Sequence, residues 1–336
     1  MKRIGIICPS EIAFRRFLPA LKEANCFEYV GVSIASKDEF VGATDDIMAK
    51  ERAKAQTFVE NYGGKIYEGY NALIHANEVD AVYLPLPPGL HYKWAKEAIE
   101  EGKHILVEKP CTTALANTED LLNDARVKGL AVHENYMFTF HDQLEAVNDI
   151  LKSGEIGDIR LYRISFGFPM RAQNDFRYNK VLGGGALLDC GGYTLKYASL
   201  LLGPTAQIRY AQSNFINGFN VDMYGSAALV NEDGLTAQVA FGMDHNYKCE
   251  LEVWGSKGTI YTNRILTAPA GFVPEVIIRK GNEEERRNLP ADDAFKKSIL
   301  HFDHCIKDTA TREDNYQTLL RQARLVEQFK QMAHLD

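Results

Sequence analysis

The alternation of strand and helix patterns in the first part of the chain constrains the fold most strongly. Short apolar segments rich in β-branched residues recur between longer segments of helical period. Strands are predicted at 3–8, 29–35, 80–84, 103–108 and 130–133, and helices at 11–23, 46–62, 91–101 and 115–128. Strands without a polar face are covered on both sides, so the pattern predicts an α/β fold with a doubly wound parallel sheet.

The pattern changes near residue 135. One helix, predicted at 143–152, precedes strands of alternating polarity that are separated by turn signals rather than helices. These strands are predicted at 159–168, 208–215, 227–231, 236–241, 249–254 and 259–262, and helices at 294–306 and 315–332 end the chain. We therefore predict one domain over 1–134 and a second over 135–336. The second is built on an antiparallel sheet with one face for packing and the other for solvent or a partner subunit.

Charge and composition exclude several classes of function. The net charge of −7 over 336 residues argues against binding to nucleic acid, which needs a clustered basic excess. No apolar run reaches the roughly 18 residues of a membrane span. The amino terminus lacks a signal-peptide pattern, and the six cysteines form no C-x-x-C pair, so we expect a cytoplasmic protein with reduced thiols.

A lysine lies at the carboxyl end of the predicted strand 103–108. Ligands of open α/β sheets bind outside the carboxyl ends of the strands, which makes Lys109 a candidate catalytic residue. Pro110 biases the lysine towards an extended backbone, so the next helix cannot begin there. The alternative is a solvated lysine that ends an ordinary strand.

The first strand-to-helix turn is a candidate site for a dinucleotide phosphate. Cys8 and Ser10 stand where a dinucleotide fold places glycines, and Glu11 and Ile12 open the following helix. The Ser10 hydroxyl could cap that helix and also bind a phosphate at its N-terminus. The alternative is that Ser10 acts only as a helix cap.

The end of the second strand favours NADP over NAD. An NAD site usually offers an acidic residue there, whereas a 2′-phosphate requires a positive charge. Ser36 and Lys37 occupy this position, although Asp38 follows directly. We therefore predict NADP, or alternatively NAD, as cofactor.

A glycine-rich segment over 183–193 carries two further candidate catalytic residues. Asp189 and Tyr193 are four residues apart and share one face of a helix. A tyrosine with its ordinary pKa near 10 is a poor acid–base catalyst at neutral pH. A lysine ammonium within about 4–6 Å would lower this pKa, so Lys109 and Tyr193 are predicted to act together.

Two further groups of side chains have a composition that could bind ligands. Arg171 and Arg177 precede the glycine run and could bind an anionic part of the substrate, although a solvated loop explains them equally well. His301, His304 and Cys305 have a spacing that metal ligands can adopt, but such a trio on an amphipathic helix usually serves packing. We predict no metal site.

The order of these motifs resembles the glucose-fructose oxidoreductase/inositol dehydrogenase family, also called Gfo/Idh/MocA. The resemblance rests on Glu108-Lys109-Pro110, on the run from Gly183 to Tyr193, and on Gly255-Ser256-Lys257-Gly258-Thr259. It extends to 87–91 and 134–138 and covers nearly the whole chain. Cys8 and Ser10 depart from the family's usual glycines.

This resemblance implies a fold, a reaction and a set of site residues. The fold is a Rossmann domain followed by an α/β domain on an open, mostly antiparallel sheet, which often forms a homodimer or homotetramer. The reaction is hydride transfer between NAD(P) and a sugar, a nucleotide sugar or a related polyol or carbonyl compound. With tyrosine at position 193, the chain resembles the family's tyrosine branch. The resemblance implies that Tyr193 moves the proton, that Lys109 assists it and that Asp189 contacts the substrate or orients the site. Further cofactor contacts are implied at Leu86, Pro87, His91, Glu108 and Asn135.

Two alternatives to this enzyme remain open from the sequence. One is a non-catalytic regulator of the same fold that binds a nucleotide or a sugar. The other is a dehydrogenase of non-sugar diols or aldehydes. The altered first turn favours the regulator, whereas the presence of Lys109, Asp189 and Tyr193 disfavours it.

Overall fold

The structure is a computed structural model that describes residues 1–40 and 43–335. It divides into two compact units. The first comprises Met1–Asn135 with Phe295–Leu320, and the second comprises Tyr136–Ala294 with the residues from Arg321 onward.

The division differs from the prediction in one respect. A boundary was expected after residue 134, but the predicted second domain also contained residues 295–320, which lie in the first unit. Phe302 stacks on Phe27 with ring centroids 5.5 Å apart, and Tyr316 is buried in the core of the first unit. The last two helices follow the second sheet in sequence, so contiguity alone could not show this return.

The first unit contains a six-stranded parallel sheet of order β3-β2-β1-β4-β5-β6. Its strands are β1 Lys2–Ile7, β2 Phe27–Ile34, β3 Lys65–Glu68, β4 Ala81–Leu84, β5 His104–Val107 and β6 Val132–Glu134. The strand order reverses at β1 and β4, and in such sheets the nucleotide binds at this switch point. The predicted doubly wound fold is confirmed.

Helices connect the strands of this sheet. They are α1 Leu18–Ala24, α2 Asp45–Tyr62, α3 Tyr70–Ile74, α4 Pro88–Glu100 and α5 Leu115–Lys128. Local chemistry fixes their ends: Thr44 accepts a hydrogen bond from the Ile47 amide at the start of α2, and Gly129 ends α5 in a left-handed conformation. The prediction lacked β3 and α3, because a four-residue edge strand carries little hydrophobic pattern.

The second unit is built on an eight-stranded sheet of order β14-β13-β12-β11-β7-β10-β9-β8. Its strands are β7 Ile159–Gly167, β8 Gln207–Asn214, β9 Tyr224–Val230, β10 Thr236–Gly242, β11 Lys248–Gly255, β12 Thr259–Asn263, β13 Glu275–Lys280 and β14 Glu283–Asn288. All neighbours are antiparallel except β7 and β10, which are parallel. The mostly antiparallel sheet is confirmed, although β13 and β14 were not predicted. The charges along β14 hide it from a hydrophobicity pattern.

The helices complete the second unit and the end of the chain. They are α6 Asp142–Lys152, α7 Gly192–Leu202, α8 Ala294–Lys307 and α9 Thr309–Met332. Helix α7 packs on β7 and β10, and its Leu195 and Ala198 are fully buried in the core of this unit. One face of the sheet is therefore covered, as its alternating pattern predicts.

In the part of the chain that the structure describes, no helix combines the length and the apolar character needed to cross a membrane.

Candidate active site

The first strand-to-helix turn has the shape of a dinucleotide-binding turn although it lacks glycine. Cys8 follows β1 with a φ of 83°, the left-handed conformation that glycine usually supplies, and its amide donates to the carbonyl of Ser33 at 3.2 Å. The Ser10 hydroxyl accepts a hydrogen bond from the Ala13 amide at 3.2 Å, which is the expected cap. Ala13 is fully buried, so the helix packs closely on the sheet.

These residues fit the pyrophosphate of a dinucleotide. The first amides of a helix have no partner within the helix, and Ser10 occupies that of Ala13, which leaves the amides of Glu11 and Ile12 to face an anion. Burial raises the pKa of the Cys8 thiol to about 12, and the thiol contacts the Tyr70 hydroxyl. Cys8 is therefore protonated at neutral pH and shapes the turn without acting as a nucleophile.

The loop after β2 is held by Glu39. Its carboxylate accepts hydrogen bonds from three backbone amides, those of Ser36 at 2.8 Å, Tyr70 at 2.7 Å and Asn71 at 2.9 Å. The exposed Lys37 ammonium lies 2.6 Å from Asp45, and the Ser36 hydroxyl donates to Asp38 at 2.7 Å. Because Glu39 is bound to the backbone, it is not available to accept from ribose hydroxyls as an NAD-selecting carboxylate does.

Glu108 lies at the end of β5 and is bound by two neighbours. Its Oε1 accepts from the Tyr83 hydroxyl at 2.6 Å and from the Asn135 amide at 2.7 Å. Burial raises the pKa of Glu108 even though these hydrogen bonds favour its charged form. The Asn135 oxygen in turn accepts from Ser298 at 2.8 Å, so Glu108 and Asn135 belong to one buried network.

His91 connects two loops of the first unit, the one after β4 and the one that contains Lys109. Its ring is fully buried, and its nitrogens lie 2.8 Å from the carbonyl oxygen of Pro110 and 2.7 Å from that of Leu86. Burial lowers the pKa of His91, so the neutral ring donates to one carbonyl at a time. His91 thus ties the loop after β4, where Leu86 and Pro87 lie, to the residue that follows Lys109.

Asp189 is paired with an arginine in the second unit. The Arg177 Nε donates to Asp189 at 2.6 Å, and its Nη1 donates to Asp175 at 3.1 Å. The three side chains are largely buried, and the pKa of Arg177 stays raised because the two carboxylates outweigh the burial that opposes its charge. Arg177 therefore orients Asp189, whereas it was predicted to bind substrate.

Tyr193 lies among aromatic rings on the face of α7. The centroid of its ring is 5.0 Å from that of Tyr136, 5.6 Å from that of Phe138 and 5.3 Å from that of Phe166. Gly192 permits this arrangement, because a Cβ there would lie 2.1 Å from the Tyr136 hydroxyl. The phenol is thereby fixed in direction and half-shielded from water, as a proton donor requires.

Lys109 lies in the first unit, whereas Asp189 and Tyr193 lie in the second. Their joint action therefore stays a prediction. Arg171 is exposed, with its guanidinium carbon 5.2 Å from the centre of the Phe168 ring, and its amide is held by the Tyr178 hydroxyl at 2.8 Å.

Among the described residues, no group of three or more histidine, cysteine, aspartate or glutamate side chains is placed to hold a metal ion. The His301 Nε2 lies 3.4 Å from the Cys305 sulfur, and burial raises the pKa of that thiol to about 12.

Sequence reasoning missed several residues that shape the site. Tyr136 and Phe138 lie in a segment that carried the family resemblance, so a place for their rings near the site could have been predicted. Glu39 and Asp222, which hold backbone amides, gave no signal because each stands alone in a loop.

The fold and the site together define a class of protein. A nucleotide-type sheet with an anion-accepting first turn, followed by a unit that presents a phenol with an arginine-paired carboxylate, is typical of two-domain NAD(P)-dependent oxidoreductases.

Comparison with known families agrees and is more specific. Residues 3–136 match the oxidoreductase family with an NAD-binding Rossmann fold, and residues 144–261 match the GFO/IDH/MocA C-terminal domain. The chain belongs to the Gfo/Idh/MocA family of oxidoreductases. Membership of this family confirms the predicted cofactor, NADP or NAD. It also confirms the predicted class of reaction, hydride transfer to or from sugars or related compounds.

The similar proteins include enzymes that reduce nucleotide sugars. The dTDP-3,4-didehydro-2,6-dideoxy-alpha-D-glucose 3-reductase of Actinomadura kijaniata is 39% identical, over 97% of this chain and 93% of its own. The enzyme of the same name from Streptomyces violaceoruber is 39% identical, over 99% and 96%. A crystal structure of a 3-ketoreductase from Actinomadura kijaniata with NADP and TDP-benzene superimposes with a TM-score of 0.90 at 38% identity, covering 98% of this chain and 97% of that one.

Proposed function

We propose that the protein is an NADPH-dependent reductase of the 3-keto group of a dTDP-linked deoxysugar. The observation that carries the proposal is the Tyr193 phenol, oriented by aromatic rings four residues after the Arg177-bound Asp189, in a chain that matches dTDP-sugar 3-reductases over nearly its full length. A phenol and a carboxylate in this arrangement suit proton transfer to a carbonyl oxygen.

The proposed reaction assigns one task to each residue. NADPH, when bound, would supply a hydride to the carbonyl carbon and would itself become NADP⁺. Tyr193 donates its phenolic proton to the carbonyl oxygen, so the ketone becomes a secondary alcohol and the phenol becomes a phenolate. Lys109 is assigned the assisting role that the family resemblance implies, since an ammonium within about 4–6 Å would stabilise such a phenolate. Asp189, held by Arg177, is assigned to contact the substrate or to orient the site.

The cofactor preference is assigned to the loop after β2. Ser36 and Lys37 are paired there with the exposed Asp38 and Asp45, and exposed pairs of this kind are weak enough to be exchanged for a 2′-phosphate, while Glu39 is occupied by three backbone amides. The amides of Glu11 and Ile12 would hold the pyrophosphate. These contacts support a preference for NADPH over NADH.

The substrate's diphosphate is assigned to the cationic loop before the glycine run. Arg171 is the exposed arginine of that loop, whereas Arg177 is already paired with Asp175 and Asp189. A guanidinium that is fixed against an aromatic ring can bind a phosphate at little further entropic cost. Substitution of Arg171 should therefore raise KM for the dTDP-sugar more than it changes kcat.

The test is the reduction of a dTDP-linked 3-keto-deoxysugar that is generated in situ. The reaction is monitored by the loss of NADPH absorbance and by the mass of the sugar product, which should exceed that of the substrate by two hydrogens. Tyr193→Phe should lower kcat by about 10² or more while the dissociation constant of NADPH changes little. Tyr197→Phe is the matched control, because Tyr197 lies on the same helix but is buried in the core. The kcat of this variant should equal that of wild type.

The outcomes separate the parts of the proposal. Turnover of free sugars or diols in preference to the dTDP-sugar would remove the substrate assignment and leave the oxidoreductase. Unchanged turnover in Tyr193→Phe would remove the phenol as proton donor. NADPH binding without turnover of any carbonyl compound would contradict an enzymatic role on this substrate class.

We also infer that the protein is cytoplasmic and forms a homodimer or homotetramer through the open face of the second sheet. Trp254 on this face is 41% exposed and lies opposite Leu161 of the neighbouring strand. Aromatic residues on such a face favour burial against a second copy. Trp254→Glu should lower the mass measured by light scattering, whereas Val127→Glu, at an 88% exposed position on α5, should not.

A further inference from the structure

A buried carboxylate in the second unit has no part in the proposed proton transfer. Asp222 lies between β8 and β9 and is only 7% exposed. Its Oδ2 accepts a hydrogen bond from the Leu187 amide at 2.7 Å, and its backbone carbonyl accepts one from the Ala186 amide at 2.8 Å. One residue therefore holds two successive amides where the helical segment towards Tyr193 begins.

The glycine run is shaped around this carboxylate. Gly185 has a φ of +121°, and a Cβ there would lie 2.2 Å from the Asp222 Oδ1. The Gly185 amide donates to the carbonyl of Arg177 at 2.9 Å, and its carbonyl accepts from the Asp189 amide at 3.1 Å. The absence of a side chain at position 185 lets the carboxylate approach the backbone. The same residue, Gly185, accepts the hydrogen bond of the Asp189 amide, so this turn helps to position Asp189.

We propose that Asp222 is a positioning residue for the reaction, which sets the placement of Asp189 and Tyr193 by anchoring the start of their helical segment. The segment begins with a wide turn, Leu187–Gly191, that continues into α7. Its first amides need partners outside the helix: the Asp222 carboxylate satisfies that of Leu187 and complements the helix dipole, and the Asp222 backbone carbonyl satisfies that of Ala186. A shift of about 1 Å in a catalytic group can cost about 10² in rate. This inference rests on the proposed function, because it presumes that Tyr193 moves the proton.

The cost of keeping this group charged supports a role beyond folding. Burial raises the pKa of Asp222 to about 6, against the favourable influence of the Leu187 amide, the Lys330 ammonium on α9 and the Ser213 hydroxyl on β8. The carboxylate is therefore ionised at neutral pH at the expense of stability. A serine or asparagine would cap the segment without this cost, but it would bind the Leu187 amide less firmly.

The experiment compares Asp222→Asn and Asp222→Ala with wild type in the NADPH-dependent reduction. Asp222→Ala should lower kcat by about tenfold or more and leave KM for NADPH within about twofold, because the dinucleotide turn lies in the first unit. Asp222→Asn retains an acceptor for the Leu187 amide and should recover much of kcat. Protonation of Asp222 leaves a neutral acceptor like that of asparagine, so kcat of wild type should fall, as the pH drops through about 6, only to the level of Asp222→Asn, whose own pH profile should lack this step.

Gln143→Ala is the matched control for loss of a buried polar anchor in the same unit. Gln143 is fully buried and donates to the carbonyls of Arg264 and Ile265, away from the glycine run, so its loss should lower the melting temperature without changing kcat or the pH profile. If Asp222→Ala behaves in the same way, Asp222 has only a structural role and the proposal is wrong.

Two further measurements keep the outcome decisive. If Asp222→Ala does not fold, the pH profile of Asp222→Asn decides, and a profile identical to that of wild type overturns the proposal. Tyr193→Phe is measured in parallel. An inactive Tyr193→Phe with fully active Asp222 variants would refute this inference alone, whereas an active Tyr193→Phe would refute the proposed function.

Discussion

The close approach of Gly192 to Tyr136 gives a prediction that can be worked out from the structure. An alanine Cβ at position 192 would lie 2.1 Å from the Tyr136 hydroxyl oxygen and 3.3 Å from the ring carbon that bears it. Tyr136 is 1% exposed and packs edge-on against Tyr193, so it cannot move towards solvent. Gly192→Ala should therefore displace the ring that orients the Tyr193 phenol, the proposed proton donor.

The magnitude follows from two opposing contributions. Gly192 has ordinary helical angles, so alanine gains about 1 kcal/mol in helix propensity. Relief of the overlap requires the oxygen to withdraw by about 1 Å, and such overpacking costs about 1–3 kcal/mol. We expect a net destabilisation of about 0–2 kcal/mol, accompanied by a fall in kcat of at least about tenfold.

The assay is a double-mutant cycle with Tyr136→Phe, which removes the overlapping oxygen. The atoms nearest to the new Cβ are then the ring carbon at 3.3 Å and the Gln322 Nε2 at 3.6 Å, which are near ordinary contact distances. The double variant should be more stable than the sum of the single variants predicts, with a coupling of about 1–3 kcal/mol in urea unfolding. Additive effects within about 0.5 kcal/mol would refute the argument that this oxygen makes glycine necessary at position 192.

Three other predictions test the supporting residues. Cys8→Gly should stabilise the protein by about 1 kcal/mol in thermal unfolding, because glycine adopts the left-handed angle without strain. Cys26→Gly is the control and should bring no gain in stability. Equal effects of the two substitutions would contradict the strain at Cys8. Glu39→Gln should weaken NADPH binding about threefold or more, measured by cofactor fluorescence, because an amide cannot accept from all three backbone amides; unchanged affinity would separate Glu39 from the cofactor loop. The raised pKa of Asp222, from 3.8 to about 6, means that its contribution to stability is full below pH 4 and is lost as the pH rises through 6. The unfolding free energy of wild type relative to Asp222→Asn should therefore rise by about 2–3 kcal/mol between pH 7 and pH 4, and a constant difference would contradict the shift.

The sequence predicted the parts of the fold whose cause is local. Helix α5 was predicted with the observed bounds because its apolar period and Gly129 both mark the end, and β5 was found because all four of its residues are buried. Strands β3 and β14 were missed because an edge strand need not bury a face: β14 is exposed along nearly its whole length and is held by ion pairs such as Arg287 with Glu155.

The candidate site was predictable for residues within recognisable motifs and not for their supports. Tyr193, Asp189 and Lys109 were found because each lies in a short, unusual segment. Asp222 could not be found, since its partner amide is 35 positions away and only the folded chain brings the two together. The return of residues 295–320 to the first unit was hidden for the same reason.

The pairing of Arg177 changes the electrostatic account of the site. A carboxylate on the same helical face as Tyr193 would, if uncompensated, raise the pKa of the phenol and oppose formation of the phenolate. The Arg177 Nε lies 2.6 Å from the Asp189 carboxylate and offsets its charge, so Asp189 can accept a hydrogen bond from substrate without this penalty. An arginine engaged in this way has little attraction left for a diphosphate, because Asp175 also shares its guanidinium. Arg177→Lys should therefore shift the pH profile of kcat towards higher pH and leave KM for the dTDP-sugar nearly unchanged, whereas an effect on KM alone would return Arg177 to the substrate-binding role first predicted for it.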